Sequence, residues 1–204
     1  QQKSDNDFDF IATTDKDITI NVGPYVSAFG TYSLQSVQDN ISVSVDSTST
    51  FGGHIKASAA ETISITGGGQ IQATISGRDT KTINVDVASG SLALGTESAE
   101  TFNLTSLGNF ELVGWGQSQV SGIQTMSINI GNGTGDLSGY GLDFQDMRNL
   151  TLAGYGSSST VLLNNVSGGE STMAIVLSGL RGGFSADNIA NRDHDIVIDA
   201  SQML

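Results

Sequence analysis

Cysteine is absent from the 204 residues, and proline and tryptophan occur once each. Without Cys there is no disulfide framework, no thiolate metal site and no Cys nucleophile. Basic residues are scarce, with 8 Lys and Arg against 21 Asp and Glu and a formal net charge of −13. Such a chain is a poor partner for nucleic acid, because phosphate contacts need clustered cations. No run approaches 18 apolar residues, so no membrane insertion is expected. Helical i, i+3, i+4 periodicity is missing too. Gln145-Asp146-Met147-Arg148 is one helical turn at most.

Small residues are abundant: 26 Gly, 27 Ser, 19 Thr and 13 Asn. The hydrophobic fraction of 37% still suffices for a core, so composition does not imply disorder. One domain or an elongated array fits the length.

A short pattern recurs along the chain: apolar, small polar, apolar. It reads Ile18-Thr19-Ile20, Ile41-Ser42-Val43, Ile63-Ser64-Ile65, Ile83-Asn84-Val85, Phe102-Asn103-Leu104, Ile128-Asn129-Ile130 and Leu150-Thr151-Leu152. Ile175-Val176-Leu177 and Ile196-Val197-Ile198 continue it. The spacings run from 19 to 26 residues with a mean near 22. Alternation is the signature of a half-buried strand, because successive side chains point to opposite faces. Second strands follow many copies, as at Gln70-Ile71-Gln72-Ala73-Thr74-Ile75 and Phe110-Glu111-Leu112-Val113. Gly-rich corners such as Gly67-Gly68-Gly69 and Gly131-Asn132-Gly133 separate them.

The expected fold is therefore all-β, a parallel β-solenoid of about nine rungs of ~22 residues. An antiparallel β-sandwich is the alternative, since it also shows short strands at regular spacing. Residues 1–16 read as an acidic edge or linker, and 17–204 as a single solenoid domain. The abrupt stop after Ile196-Val197-Ile198 suggests a piece of a longer chain, and Gln1 a mature or trimmed start. In the expected stack, the outward column is Thr19, Ser42, Ser64, Asn84, Asn103, Asn129 and Thr151. Val176 and Val197 then stand on adjacent rungs where earlier copies are polar. That pair reads as a surface covered by a partner or a further domain.

Nine of the acids fall in two stretches: Asp5, Asp7, Asp9, Asp15, Asp17, and Asp187, Asp193, Asp195, Asp199. Asp5, Asp7 and Asp9 share one face of an extended strand, where they repel unless a cation screens them. Hard oxygen ligands at that density suit Ca²⁺, and Asp187, Asp193 and Asp195, with Asn191, form a second candidate. A solvated acidic edge that blocks end-to-end stacking is the plainer reading. For catalysis the best group is Asp136, Asp143, Asp146 and Arg148, near Trp115, Tyr140 and Tyr155. Carboxylates beside aromatics suit sugar, but the acids elsewhere are scattered, so no enzyme is expected. His54 and His194 lack the spacing of a metal motif. Five Asn-x-Ser/Thr sequons, against about three expected by chance for this composition, are weak evidence for glycosylation.

The segments Ile83-Asn84-Val85-Asp86-Val87-Ala88-Ser89-Gly90-Ser91-Leu92-Ala93-Leu94 and Glu100-Thr101-Phe102-Asn103-Leu104-Thr105 resemble the β-solenoid repeats of bacterial surface-layer proteins and RTX-type adhesins. The Gly-Gly-x-Gly-x-Asp repeat of RTX calcium sites does not occur, so no ligand carries over. The resemblance implies a secreted, Ca²⁺-stabilised structural protein of the bacterial cell surface, a lattice unit or adhesin stalk. Its partners would be further copies, further domains of the chain, or surface polysaccharide. A glycan- or receptor-binding passenger is the alternative, and a polysaccharide lyase or hydrolase a distant third.

Overall fold

The computed structural model describes residues 8–14, 16–35, 39–57, 59–77, 79–96, 99–114, 122–137, 143–144, 146–164, 167–168, 172–187, 190–191 and 195–203. Among these, every regular element is a strand. The strands alternate between two faces along the chain. The first face stacks Phe8–Thr13, Gly30–Gln35, Thr50–Ala57, Gln70–Gly77, Ser89–Thr96, Phe110–Gly114, Thr134–Asp136, Thr160–Asn164 and Gly183–Asp187 in order. The second stacks Ile18–Val22, Asn40–Val45, Thr62–Thr66, Thr82–Val87, Thr101–Ser106, Thr125–Ile130, Asn149–Gly154, Met173–Ser178 and Ile196–Gln202. Each strand pairs parallel with the one a rung away. Parallel, rung-on-rung pairing makes this a β-solenoid and excludes the antiparallel sandwich.

Period-2 alternation is what drives each strand to its place. In Asn40–Val45 the side chains run exposed, buried, exposed, buried, exposed, buried. The inward positions stack like on like. Ile41, Ile63, Ile83, Phe102, Met126, Leu150 and Ile175 form one fully buried column. Full burial of one such side chain is worth roughly 1.5–3 kcal/mol, and neighbouring rungs share the contact. The first face contributes Tyr32, Ile55, Ile75 and Leu94 to the same core.

Rung length varies, and the cross-section changes with it. Ile71 pairs with Gly90 and Gly90 with Phe110, so rungs there hold 19 and 20 residues. Further on, Phe110 pairs with Gly135 and Gly135 with Val161, at 25 and 26 residues. The extra chain forms a third, short face of Asp143–Phe144, Ser167–Gly168 and Ala190–Asn191.

Two registers differ from the sequence expectation. Asn103 pairs with Ser127 rather than Asn129, and Ser127 with Thr151. The matching copy is therefore Met126-Ser127-Ile128. At the last rung Ile175 pairs with Ile198, Ala174 with Val197, and Val176 with Asp199. Val176 and Val197 share the outward face but do not stack on each other. Both differences are slips of two residues, which keep every side chain on its face and so leave the apolar pattern intact.

Candidate functional site

The most regular surface is the outward side of the second face. Three columns run along it. One is Thr19, Ser42, Ser64, Asn84, Asn103, Ser127 and Thr151. Beside it stand Asn40, Thr62, Thr82, Thr101, Thr125 and Asn149. On the other side stand Asn21, Ser44, Thr66, Asp86, Thr105 and Asn129. Parallel strands lie about 4.8 Å apart, close enough for these side chains to pair along the axis. Asn103 Nδ2 donates to Asn84 Oδ1 at 2.9 Å. At the corner, Lys81 Nζ meets Glu100 Oε1 at 3.0 Å, an exposed pair of small energetic weight.

The sequence candidates occupy scattered places. Asp5, Asp7, Asp15, Asp193, His194, Trp115 and Tyr140 lie outside the described residues, as do the side chains of Asp9, Asp143 and Asn191. Asp187 is exposed at the end of the last first-face strand, opposite Asn164. Asp195 is exposed, and its carbonyl accepts the Met173 N–H at 3.1 Å. The hydroxyl and backbone N–H of Ser201 hold the Asp199 carboxyl below its ordinary value. Among the described residues no three His, Asp or Glu side chains converge to hold a metal ion.

The acidic-aromatic group is also dispersed. Asp136 faces outward on the first face, between Glu111 and Leu162. Asp146 accepts the Gly122 N–H at 2.9 Å. Arg148 and Tyr155 flank the strand Asn149–Gly154 from opposite ends, roughly 20 Å apart along it. Tyr155 Oη donates to the Ser106 carbonyl at 3.2 Å, and burial, then Asp86, raises its phenol above the ordinary value. Val176 is half-buried, while Val197 is 54% exposed.

One groove was not anticipated. It is an open cavity of about 530 Å³ on the outward side of the first face, lined by Phe29, Gly30, Thr31, Gly53, His54, Gln72 and Thr74. Thr31, His54 and Thr74 stand in register on three rungs. The pairs Ala28 with Phe51 and Thr31 with His54 share one offset, which sets Phe29 opposite Gly52. The ring fills the space that Gly52 leaves: a Cβ there would sit 2.2 Å from two ring carbons. His54 Nε2 and Ser76 Oγ share a 2.6 Å hydrogen bond. Burial, then Lys56, lowers the imidazole below its ordinary value, which favours the neutral ring. The available signal was Gly52-Gly53 in mid-strand, where Gly often marks a close approach.

A second cleft of about 450 Å³, mostly apolar, lies at the first rungs between Phe10, Ile20, Val22, Val26, Ala28 and Tyr32. Comparison with family models, with curated proteins and with solved structures finds no match.

Proposed function

We propose that this chain is a non-catalytic structural module of the bacterial cell surface, a segment of an adhesin stalk or surface lattice. The observation that carries the reading is the second face: nine parallel strands whose outward columns are small and polar from Thr19 to Thr151. Such a face lends itself to hydrogen bonding from rung to rung, as between Asn103 and Asn84, rather than to a reaction centre. Stiffness and length follow from rungs that each contact only their neighbours. In this reading the acidic stretches around Asp5, Asp7 and Asp9 and around Asp187, Asp193 and Asp195 take Ca²⁺ and join neighbouring units. Val197 and Ile198, both about half exposed on the last rung, suit the covered side of such a junction.

The test is light-scattering mass after size exclusion, in Ca²⁺ and again in chelator. Growth into multimers only in Ca²⁺ is expected. An unchanged monomer in both buffers would overturn self-assembly for this chain.

A further inference from the structure

We propose that the groove beside Phe29 is a binding subsite for a neutral polysaccharide. The site goes beyond the scaffold reading and does not depend on it. Three properties of the groove argue for this ligand.

The first is shape. Along the first face, the outward column that passes through Gly52 continues as Gln72, Ser91 and Glu111. Gly52 alone of these lacks a side chain, and Phe29 leans into the vacancy. The backbone is also tightly drawn here. Gly53 has φ +111°, and a Cβ on it would stand 2.0 Å from the Gly30 carbonyl oxygen. Gly53, half-buried, lines the groove, and the same backbone clash keeps that position free of a side chain. The volume of about 530 Å³ is within the range of about 300–1,000 Å³ for ligand pockets.

The second is chemistry. A sugar ring offers an apolar C–H face and a rim of hydroxyls that both donate and accept. Phe29 offers an apolar ring. Thr31 on one side of the His54 rung, and Gln72 and Thr74 on the other, supply hydroxyl and amide groups that also donate and accept. His54, fixed by Ser76, adds an imidazole between them. Polar groups about 4.8 Å apart, from rung to rung, suit a chain of linked sugars laid along the axis.

The third is charge. Among the described residues the lining contains no carboxylate, no Lys and no Arg. Its one titratable group is biased toward neutrality. A net charge of −13 on the whole chain repels polyanions. An uncharged groove on an acidic protein selects an uncharged ligand.

The experiment is calorimetric titration of the intact chain with cellohexaose, maltohexaose and chitohexaose. At least one is expected to bind, with affinity falling tenfold or more in Phe29→Ala and in Gln72→Ala. Tyr155→Ala serves as the control, since Tyr155 is exposed but remote from the groove lining, and it should bind as the native chain does. Far-UV dichroism and melting temperature confirm that each variant folds. Should Phe29→Ala melt early, Gln72→Ala decides alone. Absence of binding with all three probes would overturn the proposal. So would affinity that survives both groove variants, or that falls equally in Tyr155→Ala.

Discussion

Two polar side chains show how burial decides the sign of a substitution. Thr96 is fully buried in a column with Leu34, Ala57 and Gly77, and its hydroxyl has no hydrogen-bond partner among the described residues. A hydroxyl buried without a partner costs about 1–3 kcal/mol. Thr96→Val keeps the shape and removes the cost, so thermal unfolding should shift upward by the equivalent of about 1 kcal/mol. Asn103 is the opposite case, because its amide donates to Asn84 on the outer ladder. Asn103→Ala should lower stability by about 0.5–1 kcal/mol in the same melts. His54 adds a pH-dependent contribution. Its folded pKa lies below the unfolded one, so its contribution is present above about pH 6.5 and is lost as pH falls through the folded value. The difference in melting temperature between the native chain and His54→Gln should be flat above neutrality and shift against the native chain in acid. Comparing two proteins cancels the carboxylates they share.

Strands obey their local pattern, and close backbone approaches obey sterics. Gly90 has φ +143°, and a Cβ there would lie 2.0 Å from the Ile71 carbonyl oxygen. Gly90→Ala should therefore cost at least about 2 kcal/mol in denaturant unfolding. Gly23 has open space around its would-be Cβ, so Gly23→Ala should stay within about 0.5 kcal/mol. The same scale explains what could be read from the chain and what could not. Face assignment was legible, because a one-residue slip would turn Ile63 and Ile65 outward. Register was legible where a strand holds one good alternation, as from Ile18 through Phe102. It failed in Thr125–Ile130, where Met126-Ser127-Ile128 and Ile128-Asn129-Ile130 alternate equally well. It failed again at Ile196–Gln202, whose exposed edge position gives packing little to choose by. The groove was illegible for a related reason: Phe29 and Gly52 meet only through a 23-residue register that no local pattern announces.

At the scale of the molecule, charge and stacking dominate. The formal charge of −13 is held on a rod whose exposed acids repel one another. The Debye length falls from about 30 Å at 0.01 M salt to about 3 Å at 1 M. Melting temperature should therefore rise with NaCl across that range, and a fall would mean that attractive pairs such as Lys81–Glu100 outweigh the repulsion. Rung-on-rung pairing also makes length a quantity that heredity can adjust in whole units. Ile63 pairs with Ile83, so excising residues 64–83 brings Asn84 in behind Ile63 and restores the outward position of Ser64. The shortened chain should fold with one rung fewer and all its faces in phase, whereas excising one residue more would turn the next strand inside out.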